Sequence, residues 1–450
     1  MAKKKKRISK PAATPVAEPA AAPVLAAPPK SRGRRYAETV AWSAVVFWLF
    51  IAYRVRVLYG ASVGAWISAF LSPSFQVPAA HTLDYSMGFL PRALSGQLLT
   101  FFTGGSITGQ AGGAYFLTMN VITYGLLSLI LGRLIEKAIN AKNYLLAIFP
   151  LLIIFTPQAV WSRTFPHKTY DTLMLLFALA AFFLIRNEKL MWFAPVCACL
   201  GILTSYSFIV LFFPLVFAMQ YYELIKSGLK RTRLYNLIAT TASSFALEAF
   251  MLWALLHGEL VSKYSYEEAI TYLEGKAGYA FSKLEEWYFI TGSVFGRHAD
   301  GQKATFSDLI VWPRYDWFDP AFYVTALLIC APILIFTLAA WREHIKGGKG
   351  FWEKSPYMLF MLAPAIIFPV FLVYGDLDRL VSAVLFTQVL LLAYALFADG
   401  QNEAFGRLKE ISAGKRHWLL YAAVLLGVIV PLMVFRSASW LIATTKQSIL

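Results

Sequence analysis

Charge is scarce in this chain. Only 15% of its 450 residues are Asp, Glu, Lys or Arg, against 58% hydrophobic, and just three are cysteine. Cys197, Cys199 and Cys330 all stand within apolar runs, where cysteine behaves as a small buried hydrophobe. Their number and spacing exclude a disulfide framework and a zinc site. Acids are scarcer than bases, 25 against 41, which leaves a formal charge of +16. In a soluble protein that excess would point to nucleic acid. Here it is concentrated in the N-terminal tail and in alternate connectors, with no basic–aromatic groove pattern, so no nucleic acid is expected as a partner. Also missing is the alternation of apolar and polar residues over segments of about ten residues that marks an outer-membrane barrel. No internal repeat supports an inverted-repeat transporter.

What the chain has in abundance is long apolar runs. A helix crosses the hydrocarbon core with roughly 20 apolar residues. Runs approaching that length lie near 38–58, 113–135, 144–160, 170–185, 191–203, 206–222, 234–256, 318–341, 357–374, 380–397 and 417–435. The fold class this predicts is all-α: a polytopic transmembrane helical bundle of about eleven spans with extracytoplasmic interfacial helices. Residues 1–35 form a basic, Ala/Pro-rich tail opened by Lys3-Lys4-Lys5-Lys6-Arg7; it cannot build a core and lacks the layout of a cleavable signal. Residues 36–450 are then one membrane domain.

Orientation follows from the basic connectors. Arg133/Lys137/Lys142, Arg186/Lys189, Lys226/Lys230/Arg231/Arg233, Arg342/Lys346/Lys349 and Arg407/Lys409/Lys415/Arg416 fall in alternate loops and agree with the basic tail, so they are read as cytoplasmic. The connectors 59–112, 161–169, 204–205, 257–317 and 375–379 then face out. Counting 62–71 as another crossing would put all five basic connectors outside, so 62–71 and 91–102 are read as helices at the outer interface. Arg54 and Arg56 are read as snorkelling to headgroups, with a phosphate-binding role as the alternative. In the segment 257–317, Tyr266, Ile270, Leu273, Ala277, Phe281, Leu284 and Tyr288 recur at helical spacing, an amphipathic surface helix that Gly275 and Gly278 bend.

Charge beside lipid is costly, so the polar clusters at the outer connectors are the candidate sites. The first runs from Asp84 to Arg92: Asp84 offers a base for a hydroxyl proton, and Arg92, at the start of an interfacial helix, offers a planar fork to phosphate. A loop acid and a headgroup-binding arginine are the plainer roles. The second places Arg163, His167 and Lys168 before a helix N-terminus, a setting that favours anions; Asp171 there also stabilises the helix start. The third is the short turn Gly375-Asp376-Leu377-Asp378-Arg379. Its Asp376 and Asp378 offer oxygen ligands to Mg²⁺ or Mn²⁺, and Arg379 pairs with one of them or with a lipid-linked phosphate. Glu248 is the one acid well inside a span, with Arg379 or Arg92 as the expected partner and an interhelical hydrogen bond as the alternative. The aromatics Trp287, Tyr288, Trp312, Tyr315 and Trp317 suit an interfacial belt or stacking on sugar rings.

With these clusters placed, the layout resembles the GT-C class of integral-membrane glycosyltransferases. The segments "DYSMGFLPRALSG", "HKTYDTLMLLFALAAFFL" and "GDLDRLVSAVLF" also resemble bacterial membrane proteins of surface-polysaccharide assembly, and the likeness covers the chain from about Glu38. It implies a polyprenyl-phosphate-linked sugar donor, a glycan or lipid acceptor, and a place in the bacterial cytoplasmic membrane with the N-terminus cytoplasmic. It also implies Asp84 as catalytic base or metal-side acid, with Arg92 and Arg379 on the donor phosphate. The chain departs from that pattern in two ways: its first-loop acid stands well after the first span, and Tyr85 follows Asp84 where an adjacent acid is usual. A polymerase or ligase acting on undecaprenyl-diphosphate-linked glycans, a lipid-linked-glycan flippase and a scaffolding membrane protein are the alternative readings.

Overall fold

The computed structural model describes residues 32–59, 62–105, 107–148, 150–151, 170–282, 286, 320–367 and 377–398. Every regular element among them is helical, so the chain is all-α. The helices are α1 (Arg32–Tyr59), α2 (Val63–Phe70), α3 (Ala93–Phe102), α4 (Gly109–Asn140), α5 (Tyr144–Ile148), α6 (Asp171–Leu184), α7 (Ala194–Thr204), α8 (Phe208–Leu211), α9 (Phe213–Lys226), α10 (Arg231–Leu256), α11 (Gly258–Val261), α12 (Tyr266–Ala277), α13 (Pro320–Gly347), α14 (Phe351–Ile367) and α15 (Leu377–Ala398). Short 3-10 turns occupy Ala79–His81, Tyr85–Met87 and Met191–Phe193. Two helices among the described residues, α4 and α10, are both long and apolar enough to cross a membrane.

The helices pack around α15, whose side chains from 382 to 396 are all buried. A helix that is apolar on every side has no solvent face to offer and belongs at a centre. Its buried Gln388 is satisfied on both sides, accepting from Trp341 Nε1 at 2.9 Å and donating to Phe360 O at 2.8 Å. Around it the core draws Leu131 and Leu134 from α4, Ala178 and Phe182 from α6, and Met219 from α9. Helix α1 lies along α4 at Gly132, where an added Cβ would stand 2.5 Å from Ser43 N.

Among the described residues, three basic residues of the connectors, Arg233, Arg186 and Lys137, close helix termini at one end of the bundle. Arg233 donates to the carbonyls of Ile185 and Arg186 beyond α6, Arg186 to Phe397 O at 2.7 Å, and Lys137 to Leu396 O at 3.2 Å. Helix C-termini leave carbonyls unpaired and carry partial negative charge, so cations suit them. Glu223 sits among them, accepting from Tyr394 Oη at 2.8 Å and facing Arg233 at 4.0 Å.

Several boundaries differ from the sequence reading. The run 206–222 is not one helix: Phe212 leaves helical geometry (φ −131°, ψ −20°) and separates α8 from α9, which restarts with Pro214 in its first turn. Proline is tolerated there and not deeper in a helix. The amphipathic helix of the second outer segment stops at Ala277, because Gly278 takes the left-handed conformation (φ 75°) that ends helices. Its start is fixed by a capping box between Ser265 and Glu268. Asp378 and Arg379 belong to the first turn of α15 and not to a free turn. The tail before Arg32, most of the stretch expected at 144–160, the aromatics from Trp287 to Trp317 and the run 417–435 lie outside the described residues, as do the side chains of Arg54 and Arg56.

Glycines in α4 give a direct test of this packing. Gly132→Ala should destabilise the protein by about 1–3 kcal/mol, the cost of overpacking a close approach. Gly125→Ala, in the same helix with nothing within 4 Å of the new Cβ, should stabilise it through helix propensity by up to about 1 kcal/mol. Thermal denaturation in detergent checks both signs.

Candidate functional site

The segments that the sequence reading put outside, 59–112 and 257–317, meet through their described residues at the end of the helices away from Arg133, Arg186 and Arg233. Leu83, Met87, Leu90 and Ala93 share one apolar cluster with Ala269, Leu273, Ala277 and Phe281. Lys263 N donates to Met87 O at 2.7 Å. Gly88, at φ 123°, pairs with Ser262 so closely that a Cβ would stand 2.0 Å from Val261 O, a place only glycine fills. Phe89 stacks on Tyr85 and meets Phe250 near the end of α10.

Asp84 lies inside this layer, 3% exposed. It is the N-cap of the turn Tyr85–Met87, its Oδ1 accepting from Ser86 N at 3.0 Å and from Ser86 Oγ. Oδ2 is ion-paired with Lys276 Nζ of α12 and accepts from Thr100 Oγ1 of α3 at 3.4 Å. Lys276 Nζ also donates to Thr82 O at 3.1 Å. Burial by itself would raise the Asp84 pKa. Hydrogen bonds from Lys276 and Ser86, with the lysine's charge, outweigh it and hold the carboxyl below its ordinary value of 3.8. The group is thus ionised and clamped on both oxygens. Beside it, the buried Tyr85 hydroxyl has no hydrogen-bond partner among the described residues, and burial pushes its pKa up to about 12. Ser86 Oγ meets Tyr272 Oη at 2.9 Å.

Arg92 occupies the other end of α3. It is the helix N-cap, in the left-handed region at φ 66°, a conformation costing a non-glycine residue of order 1–3 kcal/mol and found preferentially at functional positions. Its Nη2 donates to Tyr206 Oη at 2.5 Å, and its guanidinium lies 4.5 Å from the Tyr206 ring centroid and 5.6 Å from that of Tyr170. Tyr170 is itself fixed: its hydroxyl donates to Ala80 O at 2.6 Å, and its ring packs on His81, whose Nδ1 lies 2.5 Å from Ser95 Oγ. The result is an arginine held between two tyrosine rings, and its guanidinium is the side-chain group best matched to a carboxylate or phosphate.

The sequence-predicted residues are brought together only in part. Arg92 meets Tyr170, the residue before Asp171, so the first and second clusters join there; Asp171 itself is fully buried in the first turn of α6. Asp84 and Arg92 make no hydrogen bond or ion pair with each other. Asp84 is tied to Thr100 and Arg92 caps the opposite terminus, about 12 Å along α3 at 1.5 Å per residue. Glu248 makes no ion pair with Arg92, and its Oε2 is buried with no hydrogen-bond partner among the described residues; the other expected partner, Arg379, has its side chain outside them. Arg163, His167, Lys168 and Asp376, and the side chains of Asp378 and Arg379, lie outside the described residues. Among the described residues no group of three or more His, Cys, Asp or Glu is placed to hold a metal.

Two partners escaped the sequence reading. Lys276 looks like a solvent-facing residue, yet it stands three residues after Leu273 and seven after Ala269 on the buried side of α12; that register was the available signal. Tyr206 carried none. The chain matches no protein family, no curated protein and no solved structure.

Removing one member of a buried pair strands the other charge. Lys276→Ala should therefore cost about 3–5 kcal/mol, and adding Asp84→Leu should recover most of it. Because the folded-state pKa of Asp84 is depressed, the pair stabilises fully above the ordinary carboxylate pKa of 3.8 and loses that contribution as pH falls through the lower folded value. Unfolding midpoints of the wild type and Asp84→Asn should converge on acidification.

Proposed function

We propose that the chain is a multi-pass protein of the bacterial cytoplasmic membrane, a bundle of about eleven spans with its N-terminus in the cytoplasm. In this reading it transfers a sugar from a polyprenyl-phosphate-linked donor to a glycan or lipid acceptor at the extracytoplasmic face, as the GT-C resemblance implies. Support for the membrane setting comes from an inside-out surface. Trp48, Leu129, Phe183, Phe245 and Leu362 face outward while Asn120, Ser128, Gln220, Asn236 and Thr240 are buried; extended apolar surface needs lipid or a partner. Helices α1 and α13, at 28 residues each, have the length if not the uniform apolarity of spans. The basic end then faces the cytoplasm, and Asp84, Arg92, Tyr170 and Tyr206 the outside.

The observation that carries the transferase reading is Arg92, a strained, tyrosine-flanked arginine at the outer end of apolar helices, placed to meet a phosphate arriving from lipid. In the proposed reaction the acceptor hydroxyl attacks the anomeric carbon, the bond from that carbon to the phosphate oxygen breaks, and the guanidinium stabilises the departing phosphate. Asp84, ionised, receives the hydroxyl proton once Lys276 yields Oδ2; Tyr85 and Tyr272 beside it provide hydroxyls for a sugar. The sequence reading adds Arg379 and Lys168, whose side chains lie outside the described residues, as further phosphate-stabilising cations. Arg92→Ala should lower transfer about 10²–10³-fold, with Arg92→Lys intermediate, in membranes given a radiolabelled polyprenyl-phosphate sugar. Full transfer by folded Arg92→Ala and Asp84→Asn proteins would sink the proposal.

A translocator of lipid-linked glycans is the second reading, favoured by one observation. Asn236, Thr240, Ser244 and Glu248 recur every four residues on the buried face of α10, and Ser244 Oγ and Glu248 Oε2 have no hydrogen-bond partner among the described residues. A polar file inside apolar helices marks a path for polar cargo. In liposomes, Glu248→Gln should leave transfer intact if the first reading holds, and should abolish flipping of a fluorescent lipid-linked sugar if the second does.

A further inference from the structure

At the basic end, α1 and α4 enclose a cleft of about 490 Å³ lined by Arg35, Tyr36, Thr39 and Arg133. We propose that this cleft is a phosphate-binding site, and that its occupant is the headgroup of an anionic phospholipid. The site is independent of the transfer chemistry and stands at the opposite end of the helices from Arg92.

The arginine at its floor is preorganised. Arg133 Nη1 donates to Glu136 Oε2 at 2.8 Å and to Thr39 Oγ1 at 3.1 Å. Glu136 is buried, 3% exposed, and its second oxygen accepts from Asn140 Nδ2 at 2.7 Å. This chain of contacts, Asn140 to Glu136 to Arg133, fixes the guanidinium through Nη1. Thr39 Oγ1 accepts from Arg133 and so keeps its own proton to donate. Exposed Arg35 and the Tyr36 hydroxyl, 60% exposed as a residue, stand on the facing wall one turn earlier in α1. The lining brings two guanidiniums, Arg35 and Arg133, to one cleft, with Glu136 buried behind the second. A tetrahedral phosphate offers these donors several oxygens at once, and arginine is the side chain best shaped for it. Val40, one residue after Thr39, and Trp48 further along α1 are exposed and apolar, surface that the acyl chains of a seated lipid can cover.

Full-length protein in detergent, titrated with short-chain phosphatidylglycerol, short-chain phosphatidylcholine or sodium phosphate and read by native mass spectrometry, tests this. Phosphatidylglycerol should be retained in preference to phosphatidylcholine. Arg133→Ala should weaken retention about tenfold, and Arg133→Lys less, since lysine keeps the charge without the fork. Arg35→Ala, at an exposed position outside the Glu136 network, should also weaken it, and keeps the test informative if Arg133→Ala fails to fold. Lys230→Ala, at an exposed ion pair of the same basic end, should change nothing. Retention of inorganic phosphate without lipid preference would support the phosphate site and assign it to a soluble anion. Equal retention of both lipids by wild type and Arg35→Ala, with no phosphate bound, would overturn the proposal.

Discussion

The layer in which residues 79–93 pack on residues 261–281 depends on one ion pair. Lys276 and Asp84 are 192 residues apart in sequence, and their contact ties the second outer segment to the first. Everything else there is arranged around that pair: Ser86 and Thr100 take the remaining lone pairs of the carboxylate, and Thr82 O takes a further lysine proton. The apolar cluster from Leu83 to Phe281 excludes water on one side. A buried pair of this kind is no great source of net stability, because desolvation consumes most of the Coulombic gain. It contributes specificity instead. An apolar cluster alone would tolerate α12 sliding by a turn along the segment it covers, whereas Lys276 reaches Asp84 in only one register.

At the opposite end of the helices, charge solves a different problem. Carbonyls at the ends of α6 and α15 have no partner within their own helices, and buried carbonyls left unpaired are costly. Arg233, Arg186 and Lys137 meet that need. The residues from which cytoplasmic sidedness is argued therefore have a structural duty as well. The positive-inside pattern and the capping pattern coincide because both put cations where helices running one way come to an end.

The helical elements were legible in the sequence because apolar length is a local property: α4, α6, α10 and α15 lie where the hydropathy placed runs. The interruptions were less so. The break at Phe212 depends on Pro214 and on the packing of Phe208 against Gly201, which hydropathy averages away. Asp84 and Arg92 stood out as polar residues in an apolar chain, yet their environments did not, because Lys276 and Tyr206 reach them across 192 and 114 residues. Nor does spacing along the chain reveal that α3 separates them, with one residue at each terminus. The left-handed backbone of Arg92 was equally hidden, since the preceding Pro91 restricts Leu90 and not the residue after it.

That separation bears on mechanism. In the proposed function a sugar on a phosphate held by Arg92 would present its anomeric carbon a few ångströms from the guanidinium, while the carboxylate tied to Thr100 sits near the far end of α3. A direct proton transfer therefore requires either an acceptor that spans the interval or a movement that frees Asp84 from Lys276. The second route has a structural basis. Helix α12 is joined to the rest of the outer layer by a small apolar cluster, the Lys263–Met87 backbone bond, and a few polar contacts through Lys276, Tyr272 and Tyr279, whereas the Arg92 site is built on α3, α6 and the α7–α8 junction. In the proposed function the more extensively built part of the site is the one assigned to phosphate, and the part held by fewer contacts is the one that covers the carboxylate. A donor docking first against Arg92 and an acceptor displacing Lys276 from Asp84 is the order of events that this division of rigidity favours.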